Sequence, residues 1–338
     1  MYKLKHLSKS AKNAILFIIL GILVCTAFFL ALRAWENRQY RLDIPEDIQN
    51  GDVGQDELLL DGKAYRQRKG LETILLIGLD KYDSEVQSSA DSLSNSQQSD
   101  YLMLLILDRD ANLCTPLHLN RDSMAPVRVL GMDGRTIKTV TEQLALAHTY
   151  GSGGDDSCRN TVKAVSDLLY GIPIDHYVAV TLDAVPALND LVGGVRLEIP
   201  DDFSEVDPSL IQGQTMCMNG EQALHFVRAR GGMEDSTNLA RMERQRQYML
   251  ALRDSLRKCI KEDEYFPTKA LAKLSEHMMS DCMLDRLSNL ICDALEWEMA
   301  EIETIPGEAV KGKEFMEFYP DEQAMKDIVI RLFYEAID

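Results

Sequence analysis

The sequence has no Gly-x-Ser-x-Gly elbow, no His-Glu-x-x-His pair and no glycine loop ending in Gly-Lys-Ser or Gly-Lys-Thr. These absences remove the usual signatures of serine hydrolases, zinc peptidases and P-loop nucleotide enzymes. No cysteines are spaced as C-x-x-C, and no cysteine–histidine spacing resembles a zinc site. Positive charge is scarce: 36 Lys and Arg stand against 54 Asp and Glu, for a net charge of -18. The first 34 residues hold Lys3, Lys5, Lys9, Lys12 and Arg33 and no acid, so -18 less these five positive charges leaves -23 on the rest. A body of that charge excludes nucleic acid as a partner through its overall field, and any anion must be held by a local cluster of basic residues. No internal repeat is present, and the six histidines are scattered. His176 reads as a packing residue rather than a base.

What the chain does have begins with an uncharged apolar run, Ala14–Leu32. It is about the length that crosses a bilayer core as a helix. The lysines before it put the N-terminus in the cytoplasm, and Arg33 and Trp35 suit an interfacial anchor better than a cleavage site. The expected organisation is a cytoplasmic segment (1–13), a transmembrane anchor (14–34), an extracytoplasmic stalk (35–57) and one globular domain (58–338). Six cysteines, Cys114, Cys158, Cys217, Cys259, Cys282 and Cys292, follow the anchor. Disulfides are permitted there, and free buried thiols are equally compatible.

Hydrophobic residues make up 46% of the chain. Asp61-Gly62, between two short apolar stretches, predicts a hairpin. Thr73–Leu79, Tyr101–Leu107 and Leu113–Leu119 read as buried strands, the last with an edge or bulge at Pro116. Asp83–Ser99, rich in Ser and Gln, reads as a flexible loop, and Gly151–Gly154 as a turn. Asp155–Ser157 opens a helix that Gly171 can end, Ile172–Val180 and Val195–Ile199 are strands, and Asn219 can cap a helix through Leu224. A long helix is expected over Leu239–Ile260 and shorter ones near Thr268–Met279 and Leu284–Met299. Ile302–Ile305 reads as a strand, and Pro320 starts a last helix to about Ala336. This mixture implies a layered α/β sandwich.

Two acids sit at strand ends, Asp80 after the first buried strand and Asp100 before the second. If those strands are antiparallel neighbours, both carboxylates face one point, where a hard cation such as Mg2+ fits; otherwise each caps a loop. Arg228 and Arg230, two apart in what reads as an extended segment, share a face. Arg241, Arg244 and Gln245 share a helix face, and Arg121 follows the third strand. Guanidinium forks bind phosphate bidentately, and they also pair with surface acids. Spacing leaves both readings open.

In order, Ile74–Asp80, Ser99-Asp100, Asn120-Arg121-Asp122-Ser123, Ala147–Gly151, Ile174–Val178, Gly193-Gly194-Val195, Val227–Arg230 and Arg241–Gln245 resemble the LytR-CpsA-Psr family. The resemblance runs from Thr73 to about Met249. It implies a three-layer α/β/α sandwich with a mixed central sheet and a pocket for a polyprenyl diphosphate lipid. It implies a phosphotransferase that moves a glycopolymer phosphate, of teichoic acid or capsular polysaccharide type, from a polyprenyl-diphosphate carrier to peptidoglycan. By motif position, Asp80 and Asp100 correspond to Mg2+ ligands. Arg121, Arg228, Arg230, Arg241 and Gln245 correspond to diphosphate-binding residues, with Arg244 beside them. Catalysis falls to Arg121, Asp122, Arg228 and Arg230, with Asp122 either orienting Arg121 or acting as a base. A non-catalytic regulator that binds the same lipid, and a diphosphatase, are the alternatives. Two departures stand out: His118-Leu119-Asn120 replaces a Ser-Ile-Pro-like lead, and Asn238 stands where an acid is common, with Asp235 able to substitute if the loop bends.

Overall fold

The computed structural model describes residues 57–60, 63–80, 87–88, 93–131, 133–229, 237–313 and 315–337. The cytoplasmic segment, the anchor, residues 35–56 of the stalk, and Arg230 lie outside the described residues. Among the described residues no helix is long and apolar enough to cross a membrane. Glu57, expected to end the stalk, instead opens the first strand.

In chain order the elements are β1 (Glu57–Leu60), β2 (Lys63–Gln67), β3 (Leu71–Leu79), β4 (Gln87–Ser88), β5 (Leu93–Ser94), β6 (Ser99–Asp108), β7 (Leu113–Leu119), β8 (Met124–Leu130) and β9 (Thr136–Gln143). Then come α1 (Gly154–Leu168), β10 (His176–Thr181), α2 (Ala184–Leu191), β11 (Val195–Glu198), β12 (Thr215–Met218), α3 (Gly220–Arg228), α4 (Asn238–Glu262) and α5 (Phe266–Leu274). The last are β13 (Met278–Ser280), α6 (Leu284–Glu296), β14 (Glu298–Met299), β15 (Glu303–Thr304), β16 (Gly307–Lys311), β17 (Met316–Pro320), α7 (Glu322–Phe333) and β18 (Tyr334–Ile337).

The central sheet has the order β13-β10-β3-β6-β7-β14, with β15 also on β7. It is mixed: β3 is parallel to β10 and antiparallel to β6, and β7 is antiparallel to β6 and parallel to β14 and β15. Successive side chains of β3 take opposite faces. Leu75, Ile77 and Leu79 pack with Val165 of α1 and Val329, Leu332 and Phe333 of α7. Ile74 and Leu76 face the other way, with Leu271 of α5 and Leu287 and Leu290 of α6. Burial on both faces is why these strands read as unbroken apolar runs. The α/β/α layering expected from the sequence is present. Beside it, Val195, Ile199, Phe203, Phe226, Tyr248 and Leu252 form a separate core that binds α3 and α4 to β11.

Several elements differ from expectation, each for a local reason. Arg228 is the last residue of a helix and does not lie in an extended segment. Asn219 and Gln222 form a reciprocal capping box that starts α3, and the helix runs until Ala229 turns out of it. The helix expected over Thr268–Met279 stops at Leu274, because Met278–Ser280 pairs with β10. The next stops at Glu296, because Glu298 and Met299 pair with Leu113 and Cys114. Pro320 ends a strand; Asp321 caps α7, and Tyr334–Ile337 adds to β2. Pro116 lies opposite the gap between β14 and β15, so β7 has a broken partner there and is not a free edge. The end of the expected flexible loop is buried: the Asn95 amide donates to the carbonyls of His148 and Gly151, each at 2.9 Å. Gly154 opens α1 and is not only a turn residue. His176, read as a packing residue, is half-buried between Glu72 and Asp281, each at 3.6 Å. The six described cysteines are free thiols.

Two histidines are buried in this framework. His148 is 0% exposed and His118 is 2% exposed. Burial lowers the pKa of each to about 4, and Arg241 adds to the effect on His118. The folded state therefore refuses protons that the unfolded chain takes up below its ordinary histidine pKa. Stability is fully present above about pH 6.5 and is lost as pH falls toward 4, by about 3 kcal/mol per histidine. Urea unfolding of His148→Gln between pH 7 and pH 4.5 is expected to show a shallower fall than the unaltered protein. An unchanged slope would contradict this account of His148.

Candidate functional site

One end of the central sheet gathers the chemistry. The end of β3, the start of β6 and the end of β7 meet there, because β3 and β6 are antiparallel and Leu119 pairs with Leu102. The β3–β6 register slips between Gly78, opposite Tyr101, and Leu79, opposite Ser99, which leaves Asp100 as the extra residue of a bulge. Glycine is needed at 78: a Cβ there would lie 2.7 Å from the Tyr101 Cβ. Asp80, the residue after β3, is half-buried at this same end. The backbone thus puts Asp80 and Asp100 at the adjoining ends of two antiparallel neighbours.

Arginines close on Asp100 from two elements. Arg121, just past β7, forms an ion pair with the Asp100 carboxylate. Its Nη2 donates to Gln98 Oε1 at 3.1 Å and its Nε to Asp122 Oδ1 at 3.2 Å. Asp122 Oδ1 also accepts from Gln143 Nε2 at 3.1 Å, so this carboxylate is placed to orient Arg121. Arg241, on the first turn of α4, is 4% exposed; its Nη2 donates to the Asp100 carbonyl at 3.3 Å, and its Nη1 is 3.8 Å from the Asp100 carboxylate.

The other members of the helical motif turn away from that carboxylate. Arg244 is 2% exposed, donates to Asp201 at 3.0 Å and to the Ala229 carbonyl at 2.6 Å, and lies over the Phe203 ring. Gln245 Nε2 donates to the Val227 carbonyl at 3.3 Å. Both residues satisfy carbonyls left open at the C-terminal end of α3. They thus anchor the segment that carries Arg228. Arg228 itself is exposed and makes no ion pair among the described residues.

An apolar cavity of about 220 Å³ lies on the α5–α6 face of the sheet, walled by Leu76, Met103, Met249, Leu252, Leu271 and Ile291 among others. A second cavity, about 360 Å³ with mixed walls, includes His118, Asn120, Met242, Arg246 and Phe318. The two share Ile302, and both run along α4. His118 closes the sheet side, its ring 4.8 Å from that of Tyr101. Gln98 and Gln143 were not legible as partners of the site, since each acts through hydrogen bonds to residues more than twenty positions away and carries no periodic signal.

The division of labour along α4 has a measurable consequence. Arg244→Ala leaves Asp201 and the Ala229 carbonyl without their donor and is expected to cost about 3 kcal/mol. Arg228→Ala, at an exposed position, is expected to cost under about 0.5 kcal/mol. Equal losses in urea unfolding would contradict the assignment of Arg244 as an anchor.

The LytR_cpsA_psr family model matches residues 44–332. The chain is 28% identical over 224 residues to the polyisoprenyl-teichoic acid–peptidoglycan teichoic acid transferase TagU of Halalkalibacterium halodurans, covering 64% of this chain and 63% of that one. It is 30% identical over 190 residues to the corresponding TagV enzyme of Bacillus subtilis, covering 54% of this chain and 43% of the relative. The match thus spans less than two thirds of either relative's length. The crystal structure of B. subtilis TagV superposes with a TM-score of 0.58 at 24% identity, over 78% of this chain and 96% of that one, which establishes the shared fold. With most of its length matched by the family model, the chain belongs to the LytR_cpsA_psr family.

Proposed function

We propose that this protein is a Mg2+-dependent phosphotransferase that moves a glycopolymer phosphate from a polyprenyl-diphosphate lipid to peptidoglycan. The cargo is of teichoic acid or capsular polysaccharide type. The observation that carries this reading is the convergence of Arg121 and Arg241 on Asp100, on the sheet whose face lines an apolar cavity. A prenyl diphosphate has that polarity, an anionic head and a hydrocarbon tail. Arg241 and Met249 are eight residues apart on α4, or about 12 Å along the helix. A head held at Arg241 thus has its tail directed along α4 into the cavity.

In the transfer, an acceptor hydroxyl oxygen of the peptidoglycan bonds to the phosphorus that carries the glycopolymer. The bond from that phosphorus to the bridging oxygen breaks, polyprenyl phosphate departs, and the proton of the acceptor hydroxyl passes to water or to the departing phosphate. Charge grows on the bridging oxygen and on the equatorial oxygens, and positioned guanidinium groups stabilise it. Arg121 is held for this by Gln98 and Asp122, and Arg241 by Asn238 and the β6 backbone. Arg228 is exposed at the end of α3 and free to approach the glycopolymer side; Arg230 belongs to the same proposal by motif position. Gln245 and Arg244 contribute by holding that end of α3.

Asp80 and Asp100 are the residues that would hold Mg2+. Two carboxylates at adjoining strand ends are a fitting donor set, since this ion is commonly held by one or two carboxylates with phosphate oxygens and water completing its shell. When bound, it supplies charge neutralisation to the diphosphate. The N-terminal run at residues 14–34 is read as a single-pass anchor that holds the domain at the extracytoplasmic surface, where the carrier is confined. Tethering enzyme and carrier to one surface raises their effective concentration.

Full-length protein in detergent, given a polyprenyl-diphosphate glycopolymer and peptidoglycan oligomers, is expected to form phosphodiester-linked product that chelation abolishes. Asp100→Asn and Arg121→Ala are each expected to slow transfer by at least about 100-fold. Lipid binding with no product would favour a non-catalytic regulator, and phosphorylated polymer released to water in the presence of acceptor would favour a diphosphatase.

A further inference from the structure

Asn120 and Asn238 meet across the arginine site. Asn238 Nδ2 donates to Asn120 Oδ1 at 2.6 Å, and Asn238 Oδ1 accepts from Arg241 Nη2 at 2.7 Å. The same Asn120 Oδ1 accepts the backbone N–H of Asp122 at 3.0 Å. Asn120 follows β7 and is 8% exposed, while Asn238 is the first residue of α4. One short chain of hydrogen bonds therefore ties the turn that carries Arg121 to the helix that carries Arg241.

The orientation of both amides is fixed by the groups around them. The backbone N–H of Asp122 can only donate, so Asn120 must present its oxygen to it. That oxygen then calls for a donor from Asn238, which turns the Asn238 oxygen toward Arg241. A carboxylate at 238 accepts but cannot donate. It would keep the contact with Arg241 and set an oxygen against Asn120 Oδ1. Turning the Asn120 amide over would relieve that contact and strand the Asp122 N–H at a position with little access to water, which is costly. An acid at 238 would also place a further negative charge beside Arg241, in competition with any anionic ligand.

We infer that Asn120 and Asn238 form a matched amide pair that positions Arg121 and Arg241 together for a diphosphate ligand, and that each asparagine requires the other. These are positioning residues, since both act through the arginines. The two sequence departures noted at the outset, Asn120 and Asn238, are then one feature seen twice. The inference rests on the reading of the arginines as diphosphate-binding groups.

Titration calorimetry of the full-length protein with farnesyl diphosphate in the presence of Mg2+, alongside thermal unfolding, tests it. Asn120→Ala and Asn238→Ala are each expected to weaken binding by about tenfold. The double variant should bind no more than slightly worse than the weaker single one, because both substitutions remove the same link. Asn238→Asp, nearly the same shape and still able to accept from Arg241, should lose affinity by a similar factor while its Tm falls no further than that of Asn238→Ala. Undiminished binding by Asn238→Asp, or losses that add in the double variant, would overturn the matched pair. No binding of farnesyl diphosphate by the unaltered protein would instead remove the diphosphate reading beneath it.

Discussion

Asp100 holds two arginines from different parts of the chain, and the site is built on that shared carboxylate. Burying a guanidinium without a counter-charge costs several kcal/mol, about 3–5 kcal/mol when one partner of a buried pair is removed. Arg121 and Arg241 are mostly buried, so their placement depends on where Asp100 sits. That position is set by a bulge, and the bulge depends on Gly78 allowing Tyr101 to pass close by. A backbone irregularity at one end of the two central strands thus determines where positive charge collects in a strongly acidic protein.

Helix α4 then links that arrangement to three other parts of the fold. Its first turn reaches the sheet through Arg241 and the β7 turn through Asn238. One turn on, Arg244 and Gln245 hold the last carbonyls of α3. Two turns on, Met249 and Leu252 face the apolar cavity. On the proposed reading, head-group recognition, anchoring and tail accommodation fall on successive turns along one face of this helix. Arg241, Arg244 and Gln245, all buried on this helix, each donate to a defined acceptor: the Asp100 carbonyl, Asp201 with the Ala229 carbonyl, and the Val227 carbonyl.

Much of this was legible in the residues. The buried strands announced themselves because both faces are covered, which makes Thr73–Leu79 continuous apolar sequence. Asn219 marked a helix start through a local side-chain cap, and Asp155 and Asp156 marked another as acids in its first turn. The placement of Asp80 and Asp100 at adjoining strand ends was readable as a consequence of antiparallel pairing, but the pairing of Asp100 with Arg121 was not, since it needs the third strand in register. Val227-Arg228-Ala229-Arg230 alternates like a strand, and the capping box upstream overrode that period for Arg228. The hairpin β16–β17 left no signal: β16 is exposed throughout, so selection for a buried face wrote nothing into it. Asn120 and Asn238 looked like departures from a pattern because their complementarity exists only across 118 residues of chain.

The central claim is that one ligand spans the arginine pair and the apolar cavity. A crystal structure of the protein with a polyprenyl diphosphate and Mg2+ tests it most directly. The account predicts diphosphate oxygens hydrogen-bonded to Arg121 and Arg241, and the prenyl chain lying along α4 against Leu76, Met103 and Met249. A diphosphate bound away from both arginines, or a tail lying on the outer surface with the cavity empty, would contradict it.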